Sequence, residues 1–127
     1  MSYRHRVRVR YVDCDMQGVV YNAHYLTFVD VALDTWLREL DPRFESLGWE
    51  LMVKVAHIEW HGPAALAEVI DLDVEVRRWG TTSFDTATVA TVDGRSVFEA
   101  AMTYVVVDAR EHRPLEIPDE LRGHLGP

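Results

Sequence analysis

Residues 11–37 read YVDCDMQGVVYNAHYLTFVDVALDTWL, and this stretch decides the fold. From Asn22 to Leu40 the apolar residues Tyr25, Phe28, Val29, Ala32, Leu33, Trp36, Leu37 and Leu40 recur at helical spacing and cover more than a narrow stripe. Only Asp30 and Asp34 interrupt before Arg38, so the spacing predicts one long helix wrapped on most sides, with Asp34 and Arg38 paired four residues apart on its wet edge. Asn22 is the expected cap, and Asp41 and Pro42 end the helix. Directly before it stand two acids, Asp13 and Asp15, and a lone Gly18. Packing alone does not ask for that arrangement.

Upstream, Tyr3 to Tyr11 sets Arg4, Arg6, Arg8 and Arg10 against Val7, Val9 and Tyr11, the two-residue period of a half-buried strand. The four arginines share one face, either as a solvated surface paired with acidic neighbours or as a landing site for an anionic ligand. Downstream, Leu51 to His61 reads as strand and closes at Gly62 and Pro63. Glu68 to Arg78 alternates Ile70, Leu72, Val74 and Val76 with Asp71, Asp73, Glu75 and Arg77. A strand follows from Ser83 to Val92, then a hairpin at Asp93-Gly94, then a strand from Ser96 to Val107. The tail carries two prolines and room for one short helix.

A broadly apolar helix must be covered, and a five-stranded sheet with one apolar face must cover something. The order therefore predicts an α+β fold, one antiparallel five-stranded sheet curled around one long helix, in a single domain over residues 1–127. The 48% hydrophobic and 27% charged content is that of an ordinary globular chain. A net charge of -8 argues against general nucleic-acid binding. Apolar runs fall far short of the roughly 18 residues that span a bilayer, and the first residues hold no signal-type segment, so no membrane insertion and a cytoplasmic location are expected. Cys14 is the only cysteine, which excludes an intramolecular disulfide.

Several chemistries fail on residue type. His57 and His61 on a strand stand roughly 13 Å apart, too far to share a metal, and no metal or cofactor is expected. None of Ser2, Ser46, Ser83 and Ser96 sits in a nucleophile elbow. Cys14 between two acids is a poor thiolate and reads as a small, partly buried thiol. The carboxylates before the helix remain. A helix start offers free N–H groups and partial positive charge to an oxyanion, and a nearby acid adds a general base or nucleophile. A thioester suits such a site, because a thiolate with a pKa near about 8.5 leaves without a general acid. The alternative is that Asp13 and Asp15 only shape a turn and pre-cap the helix.

Residues 10–32, RYVDCDMQGVVYNAHYLTFVDVA, resemble the active-site segment of the hot-dog acyl-CoA thioesterases of the 4-hydroxybenzoyl-CoA and Tol-Pal-associated types. HIEWHGPAALAEVIDLDVEV from His57 and RRWGTTSF from Arg77 are similar to that family's following strands and turn. The resemblance implies a hot-dog fold and hydrolysis of an acyl-CoA to free acid and CoA, the coenzyme entering only as part of the substrate. It implies that Asp15 is the catalytic carboxylate, Tyr11 a shaping neighbour, Gly18 the residue that lets the loop fold back, and the Asn22 amide the carbonyl's polariser. In the Tol-Pal-associated branch of that family a histidine often stands at the place of Asn22. Tyr25 becomes a candidate for the pocket, and Arg77, Arg78 and Ser83 for the CoA nucleotide. Sites shared between two subunits imply a homo-oligomer, a dimer or a dimer of dimers. Two other readings share the fold: a non-catalytic acyl-ligand binder, and a hydratase or dehydratase, whose histidine is replaced here by Val20.

Overall fold

The computed structural model describes residues 2–126. Five strands, β1 (Ser2–Arg8), β2 (Trp49–Trp60), β3 (Val69–Trp79), β4 (Ser83–Val92) and β5 (Arg95–Asp108), form one antiparallel sheet in the order β1-β3-β4-β5-β2. The long helix α1 (Tyr25–Leu40) lies against its inner face, and a short helix, α2 (Asp119–Leu125), closes one end. This is the hot-dog arrangement.

The alternation seen in the sequence is the alternation of faces. Ile70, Leu72 and Val74 from β3, Phe84 and Ala90 from β4, and Phe98, Ala100, Met102 and Tyr104 from β5 meet Phe28, Val29, Ala32, Leu33, Trp36 and Leu37 of α1 in one core. The helix is not wrapped on most sides as the spacing predicts. The sheet covers one broad face, and Thr27, Asp30, Val31 and Arg38 stay exposed along the strip beside the β2 edge. Arg38 does pair with Asp34, at 2.7 Å.

The arginine ladder resolves as a solvated face. Arg4 grips Asp73 with two bonds of 2.8 and 2.9 Å, Arg6 donates to Asp71 at 2.9 Å, and Arg8 donates to the Ala67 carbonyl at 3.1 Å. Opposite charges sit at directly paired positions, Arg4 with Asp73 and Arg6 with Asp71. These exposed pairs fix register more than they add stability. At the β4–β5 hairpin both Asp93 (φ 49°) and Gly94 (φ 79°) take positive φ, the conformation that matches the twist of the flanking strands.

Candidate active site

β1 stops at Arg8, three residues short of the predicted end, because Arg10 and Asp13 tie off a tight 3-10 turn over Tyr11–Asp13. From there the chain makes a small hairpin. The Tyr21 N–H donates to the Asp13 carbonyl at 3.2 Å, the Asp15 N–H to the Val19 carbonyl at 3.0 Å, and the Gly18 N–H back to the Asp15 carbonyl at 3.0 Å. Gly18 sits at φ 78°, which explains the glycine. At the tip, Asp15 Oδ1 accepts the Gln17 N–H at 2.8 Å, so one carboxylate oxygen holds the turn.

The helix start differs from expectation. Asn22–His24 form a 3-10 turn leading into α1, and the Asn22 side chain caps nothing, since neither this turn nor α1 has a side-chain cap bond. The first intrahelical donor is the His24 N–H, to the Tyr21 carbonyl at 2.8 Å. The amides of Asn22 and Ala23 precede it, where a helix leaves its donors free. The Asn22 carbonyl accepts the indole N–H of Trp60 at 3.3 Å.

The hairpin is locked to the body twice. The Val20 N–H donates to the Ala64 carbonyl at 2.9 Å, and the Ala64 N–H donates to the Tyr25 hydroxyl at 3.0 Å. Tyr25, 1% exposed, therefore lies in the core and holds the loop from beneath. Burial pushes its hydroxyl up from the ordinary tyrosine pKa. The second lock is Asp13, whose buried carboxylate accepts from Arg10 and meets His24 Nε2 at 2.8 Å.

Tyr11, Cys14, Asp15, Met16, Gly18 and Leu66 line an open cleft of about 430 Å³. Three of the residues singled out in the sequence, Asp15, Tyr11 and Gly18, thus converge. Met16 and Leu66 join them unannounced, since nothing in their spacing marks them. Cys14 is half-buried, its thiol 3.5 Å from the Arg10 carbonyl. Arg77, Arg78 and Ser83 lie elsewhere. They flank the turn at the far end of β3, whose near end pairs with Arg8. At strand rise that places them roughly 30 Å from the hairpin. Arg77 is paired with Glu75 at 2.9 Å and Arg78 with Asp85 at 2.8 Å. Within one chain they do not share the cleft.

Two further hollows follow α1. Leu26, Thr27, Val31, Val53, Ala56 and Met102 line one of about 310 Å³; Leu33, Asp34, Glu50 and Tyr104 are among those lining another of about 230 Å³, and Asp30 belongs to both. On the outer sheet face Glu59, His61 and Glu99 bring ligand-capable atoms within 4.8 Å, all three exposed, a grouping that the spacing of His57 and His61 does not announce. Among the described residues no helix is long and apolar enough to cross a membrane.

A curled sheet over one helix, with an acid-bearing hairpin locked beside the helix start, defines a member of the hot-dog class. Residues 9–125 match the model of the thioesterase-like superfamily, and the chain belongs to that family. It is 28% identical over 123 residues to the acyl-CoA thioester hydrolase YbgC of Escherichia coli O6:H1, covering 94% of this chain and 92% of that protein. It is 26% identical over 128 residues to the long-chain acyl-CoA thioesterase FadM of Escherichia coli K12, covering 94% of each. Among solved structures, a hypothetical protein from Aquifex aeolicus superposes with a TM-score of 0.90 at 20% identity, over 98% of this chain and 99% of that one, a likeness of fold.

Proposed function

We propose that this protein hydrolyses acyl-CoA thioesters, with Asp15 as general base or nucleophile. The observation that carries the reading is the placement of the Asp15 carboxylate, at the tip of a doubly locked hairpin and on the wall of an open cleft. Its Oδ1 is held by the Gln17 amide, which leaves Oδ2 to take a proton from water or to attack the acyl carbon. The leading amides of Asn22 and Ala23, at the positive end of the segment running into α1, are the donors assigned to the developing oxyanion. Tyr11 shapes the mouth of the cleft and Gly18 lets the turn close. Asn22 has no proton to relay near neutral pH, so only its backbone enters. The thiolate leaves without a general acid. The activities for which YbgC and FadM are named support the same reading.

The site is proposed to be completed by a second copy. Tyr11, Val12, Met16 and Leu66 leave large apolar surfaces exposed around the carboxylate. Among the described residues β2 forms an edge of the sheet twelve residues long, paired with β5 on one side only, on which Met52, Val53 and Val55 are about half exposed. Such an edge invites antiparallel pairing. A dimer, or a dimer of dimers, would let Arg77, Arg78 and Ser83 of one protomer serve the nucleotide of a CoA held by its neighbour. A cytoplasmic setting fits this substrate.

A panel of acyl-CoAs with a thiol-reactive dye tests the reading. Asp15→Asn should lower kcat by at least about 10³, near 4 kcal/mol of barrier, with the fold and Tm kept. Near-normal turnover in that variant defeats the assignment. Acyl-CoA bound tightly with no thiol released would favour a binding protein, and a change in enoyl absorbance a hydratase. Solvent oxygen label entering the Asp15 side chain in a single turnover would mark the anhydride route.

A further inference from the structure

The proposed reaction leaves a second carboxylate idle. The Asp13 side chain has no exposed surface. Its Oδ2 accepts the Arg10 backbone N–H at 2.8 Å and Nε at 3.2 Å; its Oδ1 accepts Arg10 Nη2 at 3.0 Å and the His24 Nε2–H at 2.8 Å. Burial by itself pushes this carboxyl up, but the donors of Arg10 and His24 outweigh it and hold the group below the usual carboxylate range. Asp13 is thus an anion withdrawn from water, an arrangement that persists only when its partners are complete.

Those partners come from the three pieces that must meet at the site. Arg10 ends the run from β1. Asp13 opens the hairpin, and its own carbonyl accepts the Tyr21 N–H that closes it. His24 belongs to the helix-start turn, and its ring stands edge-on to Phe28 of α1, 5.0 Å between centroids. Because Asp13 Oδ1 has no proton at neutral pH, His24 Nε2 must carry one, which fixes the imidazole's orientation. One residue separates Asp13 from Asp15, and one separates His24 from Asn22. The hydrogen bond between Asp13 and His24 therefore bridges the segment bearing the carboxylate and the segment bearing the free amides.

We propose that Asp13 and His24 form a positioning pair, which holds the Asp15 turn at a fixed separation from the leading amides of Asn22 and Ala23. The inference rests on the thioesterase reading, in which both groups address one carbonyl. A misplacement of about 1 Å between such groups costs on the order of 10²-fold in rate. Neither Asp13 nor His24 needs to touch the substrate.

His24 is about a third exposed, so its variants should fold. His24→Leu should lower kcat by about 10- to 100-fold with KM changed less than about threefold. His24→Gln, whose amide can donate toward the same oxygen, should recover most of the loss. The acidic limb of the kcat/KM profile should stay in place in both, because neither member of the pair is the base. Amide exchange at Asp15 and Gly18, the two bonds that close the turn, should speed up in His24→Leu and not in His24→Gln; Asp13→Asn should repeat the leucine pattern. Unchanged kcat and unchanged exchange in His24→Leu overturn the pairing alone. A lost or displaced acidic limb also overturns it, by making the pair itself the base. By contrast, a wild-type chain that releases no thiol, or an active Asp15→Asn, sinks the thioesterase reading, while the exchange arm still decides whether His24 holds the turn.

Discussion

Tyr25→Phe isolates one hydrogen bond at the junction of core and site. The substitution keeps the ring and its contacts, edge-on to Phe28 at 6.3 Å and tilted on Phe98 at 5.0 Å, and deletes only the hydroxyl. That hydroxyl accepts the N–H of Ala64, a residue with no exposed surface. A buried donor left without a partner costs about 1–3 kcal/mol. No cavity term beyond one oxygen atom is added, so the whole loss should lie in that range. Urea unfolding followed by circular dichroism should show a lower midpoint with an unchanged m-value. Because the Ala64 carbonyl holds the Val20 N–H, amide exchange at Val20 should rise more than at the middle of β4. A change below about 0.5 kcal/mol, within the range of neutral surface substitutions, would refute the claim that Tyr25 supports the loop. A KM change at unchanged stability would instead make Tyr25 a pocket residue.

Thr86 and Thr88 bury hydroxyls with no partner among the described residues, so Thr86→Val and Thr88→Val should each raise stability by about 1 kcal/mol, read as a higher urea midpoint. Gly18→Ala meets no atom within 4 Å but must keep φ 78°; it should cost about 1–2 kcal/mol, and Gly18→Asn distinctly less. Asp41 receives the Arg43 side chain and backbone N–H, with His124 Nε2 3.4 Å away, and these hold its pKa at about 2 against 3.8. A lowered folded-state value means stability that is complete above the unfolded pKa and lost as pH falls through about 2. Asp41→Asn should flatten the stability profile between pH 4 and 2, measured by denaturant unfolding at stepped pH.

What was legible in the sequence was whatever local pattern enforces. The alternation of Glu68 to Arg78 and of Ser83 to Val92 carries over to β3 and β4 within a residue, because a half-buried sheet has no other way to sort its side chains. The positive-φ demand at Gly18 and at Asp93-Gly94 was equally plain. Strand order was not, since it depends on contacts between distant residues; yet the Arg4–Asp73 and Arg6–Asp71 matches show how opposite charges at alternating positions hint at the β1–β3 pairing. At the site, Asp15 and Gly18 had a signal in their spacing before a helix. Asp13 and His24, eleven residues apart, share no periodicity, and only the fold makes them neighbours. Asn22 misled because a good capping residue does nothing when the chain enters its helix through a 3-10 turn.

The free margin of β2 has a kinetic corollary. Among the described residues one long side lacks a neighbour, so each chain completes its fold without completing its sheet, and on the proposed pairing its cleft is whole only after an encounter with another copy. Specific activity should then decline on dilution with a bimolecular concentration dependence, and a lysine placed at Val55 should steepen that decline while leaving each chain folded.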